Sequence, residues 1–103
     1  MLAWTLLQQN DTAAALPYAG KAAEHDPNSA LAQYVFGRSL VNEGKVPEGI
    51  KYLEIAVKLD PQNLENHLAL ATAYSKDRRP LDARRERLES LEISQETQAI
   101  AQP

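Results

Sequence analysis

The chain has no cysteine, which excludes disulfides, thiolate nucleophiles and cysteine-bound metals, and leaves the redox compartment unreported. Glycine is scarce, with four residues, and the aromatics are four tyrosines, one phenylalanine and one tryptophan. Long apolar runs are missing too. The uninterrupted ones span a few residues against the roughly 20 that a membrane helix needs, so no membrane partner is expected. Neither sign of charge dominates: 11 basic and 14 acidic residues leave a net charge of −3, which offers nucleic acid or anionic lipid no general attraction. What the 103 residues do hold is abundant alanine and leucine, which favour helix over sheet. The length suits one compact domain or about three units of a helical solenoid.

The opening, MLAWTLLQQN, has no basic start, and its apolar core is too short for a secretory signal. It reads as the interior of a helix placed directly behind a methionine. That implies a piece of a larger, bacterial protein whose compartment the sequence leaves open.

The clearest pattern runs from Ser29 to Gln62, and copies of it appear 34 residues away in both directions. The first helix of each unit carries a large residue, a small one, and another apolar residue three further on: Leu2-Ala3…Leu6, Phe36-Gly37…Leu40, Leu70-Ala71…Tyr74. The small residue admits a neighbouring backbone, and its large neighbours fill the space beside it. Polar turns follow at Gln9-Asn10-Asp11, Glu43-Gly44-Lys45 and Asp77-Arg78-Arg79. Asn10 and Gly44 tolerate the left-handed conformation that ends helices, whereas Arg78 does not, so its turn is expected to be looser.

The second helices open at Asp11-Thr12, Val46-Pro47 and Pro80, where proline suits a first turn. One face of each carries Ala15, Ala19 and Ala22, then Gly49, Leu53 and Ala56, then the divergent Ala83, Arg87 and Ser90. Asp26-Pro27 and Asp60-Pro61 end the first two units. Glu48, Lys51, Glu54 and Lys58 read as a solvated face on which Glu54 and Lys58 pair one turn apart. Pro17 falls inside the first unit's second helix and predicts a kink there, or a helix regular only after Leu16. Residues 94–103 lack apolar periodicity and are expected to be a flexible tail, or to carry the last helix on for a turn or two.

The 34-residue period, the large-small pairs and the Asp-Pro endings resemble the tetratricopeptide repeat family over about Leu2 to Ile93. The tryptophan common early in that family's first helix is Gln33 in one unit and His67 in the next. The resemblance implies an all-α solenoid of three antiparallel helix pairs with a right-handed superhelical twist. Residues 1–28 form a truncated unit, 29–62 a complete one, and 63–93 a terminal one whose polar second helix meets water. Leu2, Leu6 and the first alanines, left without a preceding helix, would make an apolar patch and a homo-oligomer contact.

Catalytic chemistry finds little support, and no enzyme is expected. His25 sits in the last turn of a helix, where it suits the dipole, and His67 stands in for a packing aromatic in the core or groove. No His/Asp/Glu set has metal-ligand spacing along the chain, and no phosphate loop or nucleophile motif occurs, so no cofactor is expected. Asp82 and Glu86, one turn apart among arginines, read as a surface ion-pair ladder. The basic stretch from Lys76 to Arg87 has no interleaved aromatics for stacking bases and reads as a solvated face, with no nucleic-acid partner.

The family resemblance implies instead a concave groove lined by first helices. Its partner-binding residues would be Trp4 and Gln8; Leu31, Tyr34, Val35, Arg38 and Asn42; and Leu68, Thr72 and Lys76. One subclass of the family grips C-terminal carboxylates with a Lys/Asn clamp. The matching places here are Trp4, Val35, Glu65 and Ala69, none of them suitable, so that ligand is disfavoured. A protein–protein interaction module binding an extended segment or an amphipathic helix is the expected function. The alternative is a segment of a longer solenoid that serves structure or self-assembly.

Overall fold

The computed structural model describes residues 12–101, with side chains from 16 to 96. Five helices follow in order: α1 (Thr12–His25), α2 (Ala30–Asn42), α3 (Val46–Leu59), α4 (Leu64–Lys76) and α5 (Pro80–Ala101). No strand occurs among the described residues. The first helix of the first unit, with Trp4, Gln8 and the apolar patch expected there, lies outside them.

Each boundary has a local cause. Ser29 Oγ accepts from the Ala32 N–H at 3.1 Å, and Asn63 Oδ1 accepts from Asn66 at 3.3 Å, capping α2 and α4 at equivalent places. Asp60, at φ −141° and ψ 77°, lies outside the helical region that a following proline disfavours, and closes α3 by donating its N–H to the Ala56 carbonyl. Pro47 opens α3 in its first turn. Pro17 lies within α1, whose helical assignment runs across it.

The two hairpin turns turn out to be alike. Gly44 has φ +87°, and Lys45 donates back to Leu40 at 2.9 Å while Gly44 donates to Val41 at 3.0 Å. Arg78 repeats this with φ 57°: Arg79 donates to Tyr74 at 2.8 Å and Arg78 to Ser75 at 3.2 Å. The expected looser turn is therefore corrected, since the chain keeps the tight geometry and accepts the strain of a β-carbon in left-handed backbone. Arg78 is exposed and forms no ion pair among the described residues. Arg78→Gly should relieve that strain and raise stability by about 0.5–1 kcal/mol. A higher urea midpoint at an unchanged slope would show it.

Packing joins each helix chiefly to its neighbours in the chain, with only a slight contact between α2 and α4. α2 and α3 cross at Gly37 and Gly49, where the backbone of each meets the other directly. Val35, Leu53, Leu70, Tyr74 and Ala83 fill the core around and beyond this crossing. Between units, the Tyr74 hydroxyl donates to Glu54 at 2.7 Å and the Asn66 amide donates to the Ala56 carbonyl at 3.3 Å. Glu54 thus bridges to α4, in place of the Lys58 pairing read from the sequence.

The last helix continues to Ala101, past Ile93. From Pro80 onward neither glycine nor a further proline interrupts it, and glutamate, glutamine and alanine all favour helix.

Candidate functional site

α2 and α4 occupy equivalent positions in successive units, so residues 34 apart occupy equivalent places on the two walls. Leu53 of α3 closes the floor between them, leaving an open groove of about 350 Å³. Arg38 and Thr72 form one equivalent pair along it and Asn42 and Lys76 another, both toward the C-terminal ends of the two helices. Glu65 lines the opposite end, with Leu68 and Ala69 between.

Of the residues expected to bind a partner, the structure brings Tyr34, Arg38, Asn42, Leu68, Thr72 and Lys76 together here. Leu68 is 44% exposed, so a large aliphatic side chain stands open to solvent within the groove. Tyr34 contributes less than its size suggests, because it is only 5% exposed. Its hydroxyl accepts from Arg38 Nη1 at 2.8 Å, and the guanidinium carbon lies 5.9 Å from the ring centre. Leu31 is exposed but does not line the groove.

Val35 is a correction. It is fully buried in the core, because α2 is packed on several sides and shows solvent only a narrow strip through Leu31, Arg38 and Asn42. Trp4 and Gln8 lie outside the described residues. Val41 and Leu53 were missed as lining. The signal for Leu53 was its place on the inward face of α3, directly between two first helices.

Thr72 donates to the Leu68 carbonyl at 3.0 Å, and Asn42 and Lys76 have no side-chain partner among the described residues. The groove thus offers an amide, an ammonium and a guanidinium near an apolar middle. That set can hold a polar segment in a fixed direction.

A second cluster lies in the core between α4 and α5. His67 is 2% exposed, with Nδ1 2.7 Å from Glu86 Oε2 and Nε2 2.7 Å from the Pro61 carbonyl. Both partners accept, so the arrangement calls for a ring that donates from both nitrogens. Burial opposes the charge. The hydrogen bonds to Glu86 and Pro61, and the carboxylates of Glu86 and Glu89, outweigh it and raise the His67 pKa above the usual histidine value.

Glu86 is therefore more than a rung of a surface ladder. It is 5% exposed and held by the buried imidazole across the helix pair, and only its other oxygen reaches the surface ladder, 4.0 Å from Arg85, which also meets Asp82 at 3.5 Å. His67, Glu86 and Glu89 also form the one His/acid trio among the described residues compact enough for a metal ion. Spacing along the chain hid this trio, because its members sit on two helices. A cation could enter only by displacing the proton His67 shares with Glu86, so the geometry favours an ion pair.

The family model described as tetratricopeptide repeat matches residues 1–63 and again 34–92. No curated protein matches the sequence. Among solved structures, the chain is similar to MamA 41-end from Desulfovibrio magneticus RS-1, with TM-score 0.86 and 22% identity over 91% of this chain and 53% of that one. MamA MSR-1 has TM-score 0.85 and 26% identity over 93% and 55%. YrrB, described as a TPR protein with an unusual peptide-binding site, has TM-score 0.83 and 24% identity over 89% and 47%. The chain spans about half the length of these proteins.

Proposed function

This chain belongs to the tetratricopeptide repeat family, and from that premise we propose that the groove between α2 and α4 holds a segment of a partner protein. The coarse role, a protein-interaction module, follows from the repeat fold. The finer reading rests on one observation: Asn42 and Lys76, polar groups without a side-chain partner among the described residues, stand beside the exposed Leu68 over a packed floor. Such a surface suits a ligand with an apolar side chain for Leu68 and an acidic one for Arg38 and Lys76. A lining that runs from Glu65 to Lys76 along α4 fits an extended segment or one face of a helix.

Selection from a random peptide library tests this. Enriched peptides should lose about tenfold or more in affinity to Leu68→Ala and to Lys76→Glu, with helical circular dichroism unchanged. Peptides indifferent to both changes would refute the groove.

A second reading rests on α5. In α3, Glu54 bonds to α4 and Val57 packs on the core, and the residues 34 further on, Leu88 and Leu91, are 52% and 54% exposed. That face could take a further helix of a longer solenoid or another copy of the chain. If assembly is the role, Leu88→Glu with Leu91→Glu alters sedimentation and the groove variants do not.

A further inference from the structure

The other side of the array holds a depression that the groove reading leaves unused. It opens where α1, α2 and α3 meet, on the face of α2 opposite Tyr34 and Arg38, and its volume is about 570 Å³. Pro17, Ala23, Phe36, Tyr52 and Ile55 make its walls, and Gln33 completes them. The Phe36 and Tyr52 rings form a tilted pair with centroids 4.5 Å apart. Lys21 and Glu24, both exposed, stand at the edge.

Gln33 carries an unmet demand. Its Nε2 donates to the Pro27 carbonyl at 3.2 Å, which fixes which end of the amide is nitrogen. The oxygen, Oε1, is buried and is the one buried side-chain polar atom among the described residues with no partner. The residue itself is 4% exposed.

The next unit shows what is missing. His67, 34 residues on, makes the same bond to the carbonyl of Pro61, and its second nitrogen meets Glu86. The residue equivalent to Glu86 is Tyr52, which makes no bond to Gln33. One unit closes this network internally, whereas the other leaves a buried acceptor without a partner on a residue that lines an apolar cavity, so a donor reaches it only with a small turn of the Gln33 side chain.

We propose that this depression is a second binding site, one that takes a planar aromatic ring bearing an N–H: the indole of a tryptophan in a partner segment. The complementarity is of charge at the scale of a single bond, a partial negative oxygen awaiting a donor hydrogen. An aliphatic ligand would fill the walls and leave Oε1 unpaired. A lysine ammonium would satisfy Oε1 but surrender its hydration to proline, phenylalanine and isoleucine. An indole does both tasks, lying against the Phe36–Tyr52 pair while its ring N–H points to Gln33.

The test uses the whole 103-residue chain, labelled with nitrogen-15, titrated with indole and separately with 1-methylindole, which has the same ring and no donor. Indole should move the amide resonances of Ala23, Gln33, Phe36, Tyr52 and Ile55 in a saturable way. 1-Methylindole should bind the same place roughly fivefold more weakly, the ratio expected for one neutral hydrogen bond. Gln33→Leu should erase that ratio. Gln33→Glu, which keeps an acceptor, should preserve it, so a fold defect in one variant does not decide the matter. Equal binding of the two probes by the unaltered chain would overturn the proposal, since Oε1 would then already be satisfied, for example by a water. Shifts confined to Arg38 and Lys76, or no saturable shift, would overturn it as well.

Discussion

Gly49→Ala is expected to lower the melting temperature by about 10 °C, the largest loss from any single methyl group in the array. A β-carbon at Gly49 would press on Val41 and stand 2.6 Å from the Gly37 carbonyl oxygen and 3.0 Å from the Val41 nitrogen. Two of those atoms are backbone, so relief requires α2 and α3 to move apart over their whole contact. Overpacking of this kind costs about 3 kcal/mol, and the better helix propensity of alanine returns about 1. The net of about 2 kcal/mol corresponds to the shift stated for a domain of this size. Gly20→Ala supplies the contrast. There the new methyl meets only the Phe36 ring, at 3.4 Å, so alanine should raise the melting temperature slightly. Equal effects of the two substitutions, measured by thermal unfolding, would show that the crossing is not the constraint.

The second large effect concerns the buried pair. Glu86→Ala should destabilise the chain by about 3 kcal/mol in urea titrations near pH 6, because it removes the buried carboxylate hydrogen-bonded to the imidazole and leaves only the half-exposed Glu89, 3.5 Å away, to balance the charge. The pair also gives stability a dependence on pH. A histidine whose pKa rises on folding binds its proton more tightly in the native chain than in the unfolded one. Its contribution is complete below the unfolded value of about 6.5 and is lost as pH climbs through the raised native value. Stability should therefore fall with rising pH across that window. His67→Gln, which copies the residue at position 33, should flatten the slope, and a slope that survives this substitution would place its origin elsewhere.

The helical repeat was legible because its signals are local or strictly periodic. Phe36-Gly37, Asp60-Pro61 and Pro47 each announce a boundary or a crossing within a few residues. Glu86 was misread for the opposite reason. Its sequence neighbours are Arg84, Arg85 and Arg87, whereas its partner, His67, is 19 positions away on another helix. Glu54 went astray in the same manner, since the Tyr74 hydroxyl lies 20 positions off and Lys58 only four. Val35 shows a different limit. A helix packed on one side has a predictable wet face, but α2 is packed on several, and only the fold says which strip stays open. The Arg78 turn was within reach, because its 34-residue equivalent is Gly44, and periodicity was the better guide there than residue preference.

The two kinds of junction in this array differ in reach. Within the α2–α3 hairpin the backbones touch at Gly37 and Gly49, whereas successive units are joined by side chains, through the apolar packing of Leu53, Leu70 and Tyr74 and the bonds from Tyr74 to Glu54 and Asn66 to Ala56. Mechanically, the chain is a set of stiff links with softer springs between them. Tension along the superhelix would lengthen the springs first, and the groove, whose two walls belong to different links, would widen or narrow with each such movement.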